Sequence, residues 1–367
     1  TRESEDVKPY LQELEYDKVV VPFPKEFIEI KFLLKQIYDS KVAELRKRSL
    51  LFGNANKISL LKLQGRLGAM VSSSKNFNAM VGMGLTASAI KISHALELLE
   101  TQTLSGLNEY FKNLLKQASD KKSRAVQNLV KSKEFNAALI SLQELIARGI
   151  EHPKLEECAV LVENQFRENP KSKVIIFTQF RETGVRLAER LNRIELGVKK
   201  SKKEGASDSV ADGNNKPEAG GSGVSGAGGD SRDGLIRAQT FFGQAKKGDT
   251  GLSQKEQKAI IQKLNDGEIN VLVATSIGEE GLDIAEVSTV IFYEPIPSAI
   301  RKIQRQGRTA RLAPGKLIIL MTKDTRDVIY HYASGAREKK MYKTIDTVKR
   351  DIKNGGKGLG KWMGGKK

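Results

Sequence analysis

Four short stretches of the 367-residue chain are apolar or aromatic at every position: 174–177 (VIIF), 271–274 (VLVA), 290–293 (VIFY) and 317–320 (LIIL). A strand with one wet face alternates apolar and polar residues, because successive side chains point to opposite faces. A run without alternation needs cover on both faces, as in a parallel sheet flanked by helices. Helical segments fit between some of these runs. Leu155, Cys158, Leu161, Val162 and Phe166 mark a helix ending at Pro170, and another is expected over about 181–193. Ser253 with Glu256 spells a capping box before Ile260, Ile261 and Leu264, and Gly267 stops that helix. The fold class expected for residues 153–348 is therefore α/β with a parallel sheet.

Residues 25–152 read as an all-helical domain. Phe27, Ile30, Leu34 and Ile37 recur at helical spacing, continued by Val42 and Leu45, with Pro24 near the start and Gly53 after the end. A second helix is expected over 86–102, with Ile92, Leu96 and Leu99 on one face, and a third over 121–148, stopped by Gly149. Gly65, Gly68, Gly82, Gly84 and the serines at 72–74 are expected to break the region between. Residues 1–24 are expected as a linker. Residues 199–234 hold nine glycines and no aromatic residue, which predicts a flexible loop inside the α/β domain. Residues 349–367 read as a Gly/Lys-rich tail with seven Lys+Arg and one Asp.

Composition narrows the partners. The net charge is +18 and the pI about 9.7, which favours a polyanion, nucleic acid first. Between residues 45 and 96 there is no Asp or Glu, while Arg46, Lys47, Arg48, Lys57, Lys62, Arg66, Lys75 and Lys91 are present. Such a stretch can neutralise phosphates without reading bases, so Arg46, Lys47, Arg48, Arg66 and Lys75 are candidate nucleic-acid contacts. Phe52 and Phe77 are read as core residues rather than stacking platforms. One cysteine, Cys158, excludes an internal disulfide and a cysteine-built zinc site, and fits a reducing intracellular compartment. His94, His152 and His331 show no metal spacing, so no metal site is expected. No run of about 18 apolar residues predicts a membrane span, and the charged first residues carry no secretory signal. The chain starts without Met, so it is expected to be cut from a longer one.

Two segments carry chemistry. In 271–283 (VLVATSIGEEGLD) a buried strand ends in a loop bearing Thr275, Ser276, Gly281 and Asp283. Amides and short hydroxyls at the carboxyl end of a parallel strand can meet phosphate. In 304–311 (QRQGRTAR), Arg305, Arg308 and Arg311 recur every third residue and share one helical face, suited to charge on a transferring phosphoryl group. A generic strand–helix loop and a solvated basic helix would produce each segment alone.

Together with 174–183 (VIIFTQFRET), their order resembles motifs IV, V and VI in the second RecA-like domain of superfamily 2 helicases, and most closely the Hef/FANCM family of DNA helicases. The run 272–321, the segment 242–257 (FGQAKKGDTGLSQKEQ) and the helical stretch 92–102 (ISHALELLETQ) resemble that family too, leaving only 199–234 and the tail uncovered. The resemblance implies a helical, thumb-like, DNA-binding insert followed by a RecA-like helicase domain. It implies that Arg308 and Arg311 reach the γ-phosphate of ATP with Gln304 beside them. Gly281 and Asp283 would line the nucleotide, and Thr275, Ser276, Gln179 and Arg181 would face the DNA backbone. Ala310 departs from the usual glycine, a small perturbation.

The 367 residues hold no strand-borne GxxxxGK followed by Ser or Thr and no DExx-type acidic box; residues 355–361 match only by spelling, since Trp362 follows. The Mg2+ ligands and phosphate-cradling lysine of an ATP-dependent enzyme are thus expected in a first RecA-like domain acting in cis. The expected partner is branched DNA, forks and junctions, in repair or stalled-fork processing. Membranes are excluded, and repair or sliding-clamp partners are unspecified. The compartment would be cytoplasmic for an archaeal source and nuclear for a eukaryotic one. The alternatives are a non-catalytic branched-nucleic-acid module and an RNA-directed helicase of the Dicer or RNA-sensor type.

Overall fold

A computed structural model describes residues 14–74, 76–121, 123–194, 236–243, 251–275, 287–296 and 315–353. Its sheet contains β1 (Leu14–Val21), β2 (Val174–Phe177), β3 (Ala238–Phe241), β4 (Val271–Ala274), β5 (Thr289–Phe292) and β6 (Gly315–Thr322). The order is β1-β6-β5-β2-β4-β3, and every neighbouring pair is parallel. β2, β4 and β5 are buried along their whole length. Alternate residues feed two cores. Val174, Ile176, Val271, Val273, Ile291, Ile318 and Leu320 pack with α7 (Pro153–Glu168) and α8 (Arg181–Leu191). Ile175, Phe177, Leu272, Val290, Phe292, Leu317 and Ile319 pack with Ile260, Ile261 and Leu264 of α9 (Gln254–Asn265). Each fully covered side chain contributes about 1.5–3 kcal/mol relative to exposure.

The expected capping box is formed: Ser253 Oγ accepts from Glu256 N–H, and Glu256 returns a carboxylate to Ser253 N–H. The linker expected over residues 1–24 contains a strand. Its Val19-Val20-Val21 run suits a pleated position, and β1 pairs with β6 at the sheet edge. The tail expected from Lys349 begins inside a helix, α10 (Arg326–Lys353).

The helical region comprises α1 (Ile28–Lys47), α2 (Lys57–Ser74), α3 (Phe77–Thr101), α4 (Leu104–Ser119), α5 (Arg124–Val130) and α6 (Lys133–Ala147). It has two cores. The first joins Phe27, Ile30, Leu34, Ile92, Leu99, Phe111 and Phe135, and Phe180 of the sheet domain packs against it. The second, around the end of α1 and the start of α3, gathers Val42, Leu45, Leu50, Leu60, Leu63, Leu67 and Ala79.

Three expectations fail here. The glycines and serines do not break the middle: Gly65, Gly68 and Ser72–Ser74 lie in α2, and Gly82 and Gly84 lie in α3, which starts at Phe77 rather than residue 86. Tertiary burial outweighs the helix penalty of about 1 kcal/mol per glycine. Gly82 has a packing reason as well, because a Cβ there would come within 2.4 Å of a Leu50 methyl. The third helix is two, with a break at Lys131 and Ser132, whose hydroxyl caps α6. By length and hydropathy α3 alone among the described helices could cross a membrane, but it lies at the centre of this bundle, against α1, α2, α4 and α5.

Candidate nucleic-acid interface

In a parallel sheet all carboxyl ends lie on one edge, where ligand-binding loops gather. Here β2, β4 and β5 end in register. Thr178 N–H donates to Ala274 O (3.0 Å), Thr275 N–H to Phe241 O (3.2 Å) and Tyr293 N–H to Phe177 O (3.0 Å). The candidates Gln179, Arg181 and Thr275 are thereby brought to one rim. Gln179 is exposed; its N–H donates to the Glu294 carboxylate. Arg181 is half-buried, donates to Gly243 O (3.1 Å) and lies over the Phe242 ring at 5.9 Å. Gly184 makes room for that ring, since a Cβ there would approach it to 2.9 Å. Ser276, Gly281, Asp283, Gln304, Arg308 and Arg311, with Lys75, lie outside the described residues, as does the expected loop 199–234.

Behind this rim runs a buried polar seam between the helical bundle and the sheet. Glu294, one residue beyond Tyr293 at the end of β5, accepts from Thr178 Oγ1 (3.3 Å), Gln179 N–H and Gln102 Nε2 (3.3 Å). Gln102 follows α3 and accepts from Thr183 Oγ1 at 2.9 Å. The end of α3 is thus bonded to the loop after β2 and to the first turn of α8. Nearby, Lys154 and Asp327 form an ion pair at 2.8 Å with both side chains wholly buried. Lys154 also donates to Tyr293 O (3.0 Å), and Thr322 N–H donates to the same Asp327 oxygen (2.9 Å). Burial raises the Asp327 carboxyl above its usual range, with the Lys154 ammonium pulling the other way.

Charge continues along α3. Glu100 meets Lys31 (3.0 Å) and Arg326 (3.5 Å), and Arg326 also donates to Ser93 O. Burial pushes the Glu97 carboxyl up, but hydrogen bonds and charge from His94 and Lys57 overcome it and bring the group down to about 2. His94, expected in packing or a satisfied hydrogen bond, does both: it faces Glu97 at 3.4 Å and stacks at 5.6 Å from Phe180. His152 caps α7, its Nδ1 accepting from Lys154 N–H, which leaves Nε2–H facing Glu100 O. Burial and the Lys154 charge hold its pKa down at about 3. Cys158 is core, as expected, and burial pushes its thiol up to about 12.

Apart from Lys75, the residues of the acid-free stretch fall into two groups. Arg48 pairs with Glu44 (2.7 Å), Arg66 donates to Leu50 O (2.6 Å), Arg46 to Gly53 O (3.1 Å), Lys57 pairs with Glu97 (3.0 Å) and Lys91 donates to Gln117 (3.1 Å). Among the described residues, Lys47 and Lys62 are exposed with no ion pair or hydrogen bond. So Arg46 and Arg66, expected as phosphate contacts, donate to carbonyls of the loop after α1, while Arg48 pairs with Glu44 one turn earlier on α1. The placement of Phe52 and Phe77 in a core is overturned: they are 74% and 76% exposed. Helical periodicity does not extend to a loop residue or to the first residue of a helix, so it gave no guide to either ring. No group of His, Cys, Asp or Glu among the described residues could hold a metal.

Sequence reasoning missed Glu294, Gln102, Lys154 and Asp327. The one available signal was a carboxylate directly after a wholly apolar strand, in FYEP at 292–295.

Comparison with known proteins bears on both parts. A family model for the helicase conserved C-terminal domain matches residues 237–313, and one described as "Putative ATP-dependent RNA helicase, helical bundle" matches 26–147. The crystal structure of the Pyrococcus furiosus Hef helicase domain is similar at a TM-score of 0.66 and 33% identity, over 91% of this chain and 60% of that one. A mouse Fanconi anemia group M protein homolog is 27% identical over 94% of this chain and 17% of its own length. A Methanocaldococcus jannaschii protein, named as a "putative ATP-dependent RNA helicase", is 29% identical over 95% of this chain and 38% of its own length. The chain thus spans well under half the length of these curated relatives.

Proposed function

The chain belongs to the Hef/FANCM-like family of superfamily 2 helicases, and from that premise we propose that it forms part of an ATP-dependent DNA helicase or translocase acting on forks and junctions. ATP with Mg2+ is the cofactor of this reading, and its hydrolysis would supply the free energy for movement along DNA. Arg308 and Arg311 would neutralise charge on the transferred phosphoryl group, with Gln304, Gly281 and Asp283 beside the nucleotide. The phosphate-cradling lysine and metal ligands would come from a further RecA-like domain. Gln179, Arg181, Thr275 and Ser276 would follow the DNA backbone.

The observation that carries this reading is the seam. Glu294 and Gln102 bond the end of α3 to the loop that presents Gln179. DNA held by the bundle and DNA on the sheet rim would therefore be gripped by one connected body, as work at a branch point requires.

The test is fork-stimulated ATP hydrolysis by the full-length protein carrying this chain. Arg308→Ala and Arg311→Ala should each lower kcat by about 10³-fold or more, while fork binding stays within about twofold of the parent. Parental turnover by both variants would remove the motif VI assignment. The RNA helicase descriptions attached to one family model and one relative favour a second reading, an RNA-directed motor. Stronger stimulation by a forked RNA than by the same forked DNA would select it.

A further inference from the structure

We propose that the far end of the helical bundle is a stacking platform for unpaired nucleobases, with Phe52 and Phe77 as its faces. The inference rests on the DNA reading above and adds a site to it. The loop carrying Phe52 is pinned on both sides of that residue. Arg66 donates to Leu50 O, Arg46 to Gly53 O, Ser59 to Asn54 O (2.7 Å) and Tyr38 to Ala55 O (2.7 Å). Four side chains thus fix four carbonyls, while the ring between them is left 74% exposed. A ring that merely failed to find a core would not need so well-ordered a mount.

The helix start that bears the second ring is joined to the segment that leads into the first. Arg48 donates to Asn78 Oδ1 (3.2 Å) and Asn78 Nδ2 returns a bond to Arg48 O (3.5 Å). This joins the end of α1 to the residue next to Phe77, and Leu50 closes the joint against Gly82. Beside Phe52 lies a groove of about 280 Å3 lined by Leu50, Leu51, Phe52, Lys62, Leu63 and Arg66, with Ser59.

Charge selects the occupant. The groove has an apolar floor and a cationic rim, and the sequence from 45 to 96 has no carboxylate to repel a phosphate. Exposed aromatic faces beside cations, sequence-tolerant and held rigid, are the arrangement that binds single-stranded nucleic acid. Paired duplex offers no open base face, so the platform would engage only where strands part. Lys47 and Lys62 would hold the flanking phosphates.

The experiment compares the intact chain with Phe52→Ala, Phe77→Ala, the double variant and Phe52→Trp. The probes are a DNA fork with unpaired bases at its branch and a fully paired linear duplex of equal length. Because both rings are exposed, the thermal midpoints should match the parent. The double variant should bind the fork about tenfold more weakly and the duplex within twofold. Phe52→Trp, made together with Trp362→Phe so that position 52 carries the single indole, should keep fork affinity, and its emission should be quenched by the fork but not by the duplex. Parental fork affinity in the double variant would overturn the platform and leave the patch to a protein partner. Equal losses on fork and duplex would also overturn it, reducing the tip to a cationic face. If the parent chain itself binds neither probe, the DNA reading fails first, and that outcome is distinct from the other two.

Discussion

The seam and the tip of the helical bundle use the same side-chain chemistry in opposite surroundings. In the seam, Lys154, Asp327, Glu294 and Glu100 are each at most 6% exposed and engaged with named partners. At the tip, Lys47 and Lys62 reach solvent and two phenylalanines have no cover. Buried charges must be satisfied by the fold itself, because desolvation costs several kcal/mol per ion. They therefore fix one geometry rather than wait for a ligand. Exposed charges contribute little to stability but remain available. The contrast separates the part of the chain that joins two domains from the part that can meet something else.

Removing a charge tests the contrast most severely in the seam. Lys154→Met should destabilise the chain by about 3–5 kcal/mol, since Asp327 is left buried without its cation. The double variant Lys154→Met/Asp327→Leu should recover most of that loss. Urea unfolding of the three proteins reads both values. A single variant within about 1 kcal/mol of the parent would mean that water reaches Asp327 and that the seam is not sealed.

Acid is a gentler probe of the same region. His152 is neutral in the fold, with its pKa held at about 3, while an unfolded histidine titrates near 6.5. Between those values the unfolded chain binds the extra proton, so stability falls as pH drops from about 6.5 toward 3. At pH 5.5 the loss from this residue should be about 1.4 kcal/mol. Glu97 adds a later loss: its contribution is present above the unfolded glutamate pKa, near 4.3, and disappears as pH falls through about 2. The measurement is the thermal midpoint against pH for the parent and His152→Gln. The variant should lose the slope between pH 6.5 and 5, and an unchanged slope would reassign it to another group.

At the tip, Lys62→Glu should move stability by no more than about 0.5 kcal/mol. A larger change in urea unfolding would show that the groove belongs to the core and would erase the distinction between the two regions.

Much of the sheet domain was legible residue by residue. The apolar runs at 174–177, 271–274 and 317–320 lie in strands, and the run at 290–293 overlaps β5 with its bounds one residue late, because a doubly covered strand tolerates so little alternation. Gly149 and Gly267 adopt φ of +71° and +76° at helix ends, which glycine reaches without strain. The helix over 28–47 follows from its own periodicity. Of the candidate site, Gln179, Arg181 and Thr275 stand on one rim because strand ends and motif order coincide.

What the sequence by itself determined, then, are features set within a few residues: strand cores, caps, stops and the acid-free cationic stretch. The tertiary structure alone decided that Gly65, Gly68, Gly82 and Gly84 stay helical, that Phe52 and Phe77 face solvent, and that Arg46 and Arg66 brace a loop. It also decided the seam. Lys154 and Asp327 are 173 positions apart, and Gln102 and Glu294 are 192 apart. No local period links such pairs. They meet only because the folded sheet and the docked bundle bring them together, where low dielectric makes a correct partner necessary.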